Sequence, residues 1–85
     1  MLKEKTFGLD FARLAEYFNS ADGAAACGEG CWQLLDCVVT VTPLPDEHLS
    51  RTVSFPRTRV SVTGCESDVD KVFYDLILRF LSAGG

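Results

Sequence analysis

The sequence is short of basic residues, of proline and histidine, and of any long apolar run. Eight Lys and Arg stand against twelve Asp and Glu, a net charge of -4 at pH 7. That balance disfavours non-specific attraction to nucleic acid or anionic lipid. Only 3 Pro and 7 Gly in 85 residues, with 47% hydrophobic content, describe a compact chain rather than a low-complexity one. No stretch approaches the ~18 apolar residues of a membrane span, so no membrane association is expected. The first residues, MLKEKTFGLD, lead into a pattern broken by Asp10, Arg13 and Glu16, unlike the apolar core of a signal peptide. A cytoplasmic setting is therefore expected.

Residues 1–85 have room for one domain and one core. A chain of this size buries only roughly 60 to 65% of its unfolded surface, so a disulfide, a metal or a second chain is a welcome support. The four cysteines are Cys27, Cys31, Cys37 and Cys65. In a reducing compartment they are expected to remain thiols. A zinc site would need four nitrogen or sulfur ligands, and the Cys27–Cys31 gap of three residues is not the usual two. Cys37 shares the parity of Leu35 and Val39, which suits a small core hydrophobe, and Cys65 suits a staple at a helix entry. No metal and no cofactor are expected.

Two helices stand out. Phe11, Leu14, Ala15 and Phe18 recur at helical spacing over 10–19, with Phe7 four residues earlier and Asp10 placed to cap. Val69, Val72, Phe73, Leu76, Ile77, Phe80 and Leu81 do the same over 67–81, with Ser67 as cap, acids at the start and Arg79 at the negative end. Between them, SADGAAACGEGC (20–31) has no large apolar side chain and reads as a loop. WQLLDCVVTVT (32–42) is rich in β-branched residues and reads as one strand, PLPDEHLS (43–50) as a connection, and 51–64 as a second β region. In that region Val53 and Phe55 have one parity and Val60 and Val62 the other. The register must therefore shift near Pro56, and a bulged single strand is favoured over a turn because Pro-Arg lacks a tight-turn residue.

The expected fold is α+β: a small two-layer α-β-β(-β)-α domain, with an antiparallel sheet of two or three strands packed on one face by two helices. So small a sheet is marginal and has open edges, so a homodimer that extends it is expected. Double-stranded-RNA-binding domains share this element order. Glu66, Asp68 and Asp70 stand where such a domain has a basic helix start, so no family resemblance is drawn.

Catalysis is not expected. No nucleophile elbow, phosphate-cradling glycine loop or His-Glu-x-x-His pattern is present. His48 sits beside Asp46, Glu47 and Ser50, but neighbouring loop residues point apart and rarely converge on one atom. Charge placement is more informative. Residues 49–65 hold Arg51, Arg57 and Arg59 and no acid, a basic island in an acidic chain. Arg57 and Arg59 have parity opposite to Val60 and Val62 and should project from the solvent face, where guanidinium groups can grip carboxylate or phosphate bidentately.

The leading expectation is a non-catalytic interaction protein that binds another protein through Arg57 and Arg59, with Arg51 nearby, or through the acids Asp68, Asp70 and Asp75. An alternative is an acidic inhibitor of the kind phages and mobile elements encode, anti-CRISPR proteins included, which blocks a nucleic-acid-binding site with negative charge. A third is a small-molecule-binding dimer with an apolar pocket between Trp32, Phe73 and the partner chain.

Overall fold

A computed structural model describes residues 1–84 except Leu49, together with the side chains other than those of Glu47 and residues 81–84. The order is β1 (Leu2–Phe7), α1 (Phe11–Ser20), β2 (Ala25–Gly28), β3 (Cys31–Leu34), β4 (Cys37–His48), β5 (Ser54–Thr63) and α2 (Glu66–Gly84). The molecule is α+β, with one antiparallel five-stranded sheet in the order β1-β5-β4-β3-β2. The expected two or three strands become five. One buried cluster joins both helices to the sheet: Leu14 and Phe18 of α1, Val69, Val72, Phe73 and Leu76 of α2, and Phe7, Trp32, Cys37, Val39, Val41, Val60 and Val62 of the strands.

Two of the added strands, β1 and β2, arise where the apolar pattern is weak. In β1 the inward positions are Lys3, Lys5 and Phe7, and lysine stems do the covering. The Lys3 ammonium lies 5.9 Å from the Phe73 ring centroid and 2.8 Å from Asp70 Oδ1, tying the strand to α2. Lys5 sits 5.9 Å from the Phe7 ring centroid. Long charged side chains cover apolar surface while their heads stay wet, and lysine on an edge discourages further pairing. Phe7 therefore ends a strand and is not the extra helical position its spacing suggested.

β2 falls inside the expected 20–31 loop. Its side chains are all exposed, so it is held by backbone pairing with β3. The β2–β3 turn depends on Gly30. Its φ is +67°, and a Cβ there would sit 2.7 Å from the Val41 carbonyl oxygen. The Gly30 carbonyl accepts from Val41 N–H at 2.8 Å, which holds the two backbones this close, and glycine adopts the positive φ without a side chain in the way.

The single strand expected over 32–42 is a hairpin. Leu35 adopts φ +56° and the chain reverses at Leu35-Asp36, which splits it into β3 and β4. Trp32 consequently lies opposite Val39 and is buried, whereas Leu35, expected inside, is exposed.

β4 continues through Pro43-Leu44-Pro45 instead of stopping there. Alternation explains why Pro43 is tolerated. Val41 N–H reaches Gly30 on the β3 side, and position 43 faces the same way, beyond the last β3 pairing at Cys31↔Thr40. Proline there forfeits no ladder bond. The register shift expected near Pro56 exists, but β4 carries it: Leu44 pairs Arg57 and Glu47 pairs Phe55, while β5 runs unbroken. The distal parts of β4 and β5 thus form a two-stranded arm beyond the other strands.

The helices follow their sequence signals. Asp10 Oδ1 accepts from Arg13 N–H at 3.0 Å and caps α1. α2 starts at Glu66, one residue before the expected cap Ser67, and runs to Gly84, so Arg79 stands inside the helix and not at its end. The side chain of Leu81 lies outside the described residues. Among the described residues, no helix is long and apolar enough to cross a membrane.

Candidate functional site

Alternation along β4 and β5 sorts side chains into two sets. Cys37, Val39, Val41, Thr58, Val60 and Val62 are buried, while Val38, Thr40, Thr42, Arg59 and Thr63 are exposed. Pairing aligns the exposed set in rows. Leu2, Thr63, Val38 and Gln33 lie side by side, Glu4, Ser61, Thr40 and Cys31 form the next row, and Thr6, Arg59 and Thr42 the third. Arg57 follows opposite Leu44, at the root of the arm. The result is a hydroxyl-rich surface with two arginines at one end.

Arg59 is exposed and Arg57 half-buried, as parity required, and Arg51 is exposed in the tip of the arm. Among the described residues none of the three forms an ion pair. Glu4 shares the surface, and its Oε2 accepts from Ser61 Oγ at 2.7 Å. The tip is organised by Ser50, whose Oγ accepts from Thr52 N–H at 3.3 Å and Val53 N–H at 3.1 Å. His48 is exposed on β4 opposite Ser54.

The α2 acids are differently placed. Asp70 is engaged by Lys3. Asp75 lies on one side of α2 with Lys71 and Arg79, one turn before and one turn after it, in a cleft that also includes Tyr17. Asp68 is half-buried near the helix start. They therefore do not form a single unneutralised negative strip, and the structure does not bring them together with the arginines.

The cysteines differ from the expected set of free thiols. Cys27 and Cys31 form a disulfide linking β2 to β3. The bulge between Ala26 and Gly28 sets their Cα atoms 5.4 Å apart, inside the range a disulfide spans. Cys37 is buried and Cys65 exposed, both as thiols. Burial pushes the Cys37 thiol up from its ordinary value, with Asp68 adding to the rise. Among the described residues no three His, Cys, Asp or Glu side chains are grouped to hold a metal ion.

Trp32 and Phe73, expected as walls of an apolar pocket, are core residues. The Trp32 ring stacks on Phe18 and its Nε1 donates to Asn19. A cleft lies elsewhere, between α1, the β3–β4 turn and α2; of its polar residues, Tyr17 and Lys71 were not singled out from sequence and Arg79 was read only as a cation at a helix end. The signal available was the four-residue spacing of Lys71, Asp75 and Arg79. The sequence matches no protein-family model and no curated protein.

Proposed function

We propose that the protein is a non-catalytic interaction module that captures an acidic segment of a partner protein on its exposed sheet surface and β4–β5 arm. In this reading the helices occupy one face of the sheet in two layers and the other face is the docking surface. Arg59 and Arg57 grip carboxylates at the root of the arm, Arg51 adds charge at its tip, and the Thr and Ser rows supply hydrogen bonds. The observation that carries the reading is the placement of three arginines, none in an ion pair among the described residues, along β5 and the arm of a net acidic chain.

The acidic-inhibitor alternative draws less support. It needs a continuous anionic surface, yet Asp70 is neutralised by Lys3 and Asp75 lies between Lys71 and Arg79. The smallness of the sheet no longer argues for a second copy, since five strands are present, while β1 and β2 remain edge strands at which a second copy could pair.

The test is affinity capture from extract with the wild-type chain, Arg57→Glu/Arg59→Glu and Asp68→Asn/Asp75→Asn. Partners retained by the wild type and the Asn pair, released by the Glu pair and weakened by salt, support the reading. The reverse pattern would sink it in favour of the acidic inhibitor.

A further inference from the structure

The cleft between α1 and α2 combines features that the sheet surface does not need. It has a volume of about 420 Å³, within the range of small-molecule sites. Its apolar wall is Leu34 and Leu35 from the β3–β4 turn, and its polar wall is Lys71, Asp75 and Arg79 of α2, with Tyr17 between. Asp22 also lines the cleft, so two acids and two cations share it. None of these four is paired within 4 Å among the described residues, the one ion pair there being Lys3–Asp70. The larger groove beside β1 is different, because its Lys3 and Asp70 already satisfy one another.

Leu35 is the second, independent observation. It holds φ +56°, a left-handed conformation disfavoured for a branched side chain by roughly 1–2 kcal/mol, and leaves 50% of its surface exposed. Gly or Asn would make the same turn without strain. A strained, exposed leucine beside a charged cleft is better explained by what it contacts than by the turn it makes.

We propose that this cleft binds a zwitterionic small molecule of the apolar α-amino-acid class. Asp75 takes the ammonium, Arg79 the carboxylate through its two-pronged guanidinium, and Leu34 and Leu35 the apolar side chain. Successive turns of α2 separate Asp75 from each cation by ~6 Å along the helix, which suits a ligand whose opposite charges are adjacent. Tyr17 also lines the cleft and stays protonated as a donor. Burial raises its pKa, Asp75 raises it further, and Arg79 partly opposes them.

Isothermal titration with L-leucine, L-leucinamide and N-acetyl-L-leucine tests the assignment on the intact chain. L-Leucine should bind saturably, and removal of either ligand charge should weaken binding at least about tenfold. Asp75→Asn and Arg79→Gln should each do the same while melting cooperatively. Leu35→Gly should keep or raise the melting temperature and lower affinity. No saturable L-leucine binding up to roughly 10 mM, where a weak site would still register, would overturn the proposal. So would octanoate binding as tightly as leucine, or an affinity untouched by Asp75→Asn, Arg79→Gln or Leu35→Gly. None of these outcomes depends on the arginines of the sheet surface.

Discussion

Trp32 Nε1 donates to Asn19 Oδ1 at 2.9 Å, joining β3 to the last turn of α1. The same indole stacks on Phe18, with ring centroids 5.6 Å apart. Asn19→Ala should leave a part-buried N–H unpaired and cost about 1–2 kcal/mol. In a domain of this size each kcal/mol moves the melting temperature by about 4–8 °C, so the loss is readable by thermal melts. In a Trp32→Phe background the same substitution should cost less than half as much. Equal losses in both backgrounds would show that the bond contributes nothing.

Leu76 and Leu78 test the orientation of α2. Leu76 is fully buried and Leu78 is exposed, two residues away on the same helix. Leu76→Asp should abolish cooperative unfolding, since it places an unpaired charge in the core. Leu78→Asp should change stability by less than about 0.5 kcal/mol, as surface substitutions usually do. A soluble, cooperatively melting Leu76→Asp protein would overturn the assigned face.

Thiol chemistry should distinguish the four cysteines. Without reductant, Cys65 should react quickly with a disulfide reagent at neutral pH, while Cys37 waits for unfolding, because it is buried and its thiol is held protonated. The raised pKa has a sign for stability. The folded state keeps the Cys37 proton longer than the unfolded chain, so this stabilisation is complete below the ordinary value of 9.0 and is lost as pH rises through the higher folded value. Urea midpoints should fall above pH 9, and Cys37→Val should flatten that fall near its onset. An unchanged slope in the variant would assign it elsewhere.

Reduction should act locally. The Cys27–Cys31 loop is short, and by chain entropy alone such a closure is worth about 2 kcal/mol. Reductant, or Cys27→Ser, should lower the melting temperature by several degrees and speed hydrogen exchange in β2 far more than in β5. Uniform acceleration across the sheet would mean that the bridge supports the whole fold.

These contrasts explain what could be read from the residues alone. The helices were legible because Leu14, Phe18, Val69, Val72, Phe73 and Leu76 carry the burial themselves. The placement of Arg57 and Arg59 was legible because parity against Val60 and Val62 is a backbone property. β1 was hidden because lysine stems replace apolar residues on its inner side, and β2 because Ala, Cys and Gly hold their place by backbone bonds and a bridge. The β3–β4 reversal was hidden because Leu35-Asp36 lacks the residues that normally announce one. The cleft draws on α1, the β3–β4 turn and α2, so the local spacing of Lys71, Asp75 and Arg79 marks one of its walls and not the others.

The strand order also fixes a sequence of events in time. β1 is made first, yet its pairing partner is β5, with Leu2 opposite Thr63 and Phe7 opposite Thr58, and the Met1 amine donates to Gly64 O at 2.8 Å. β2, β3, β4 and β5, by contrast, are joined in succession by short connections, and each pairs with its neighbour in the chain. Loop closure favours these local hairpins over the β1–β5 pairing, so the earliest-synthesised strand is the last to dock. Until then Phe7 waits without its cover. Phe7→Ala should accordingly speed unfolding and leave the folding rate nearly unchanged in stopped-flow experiments, the mark of a late-forming strand.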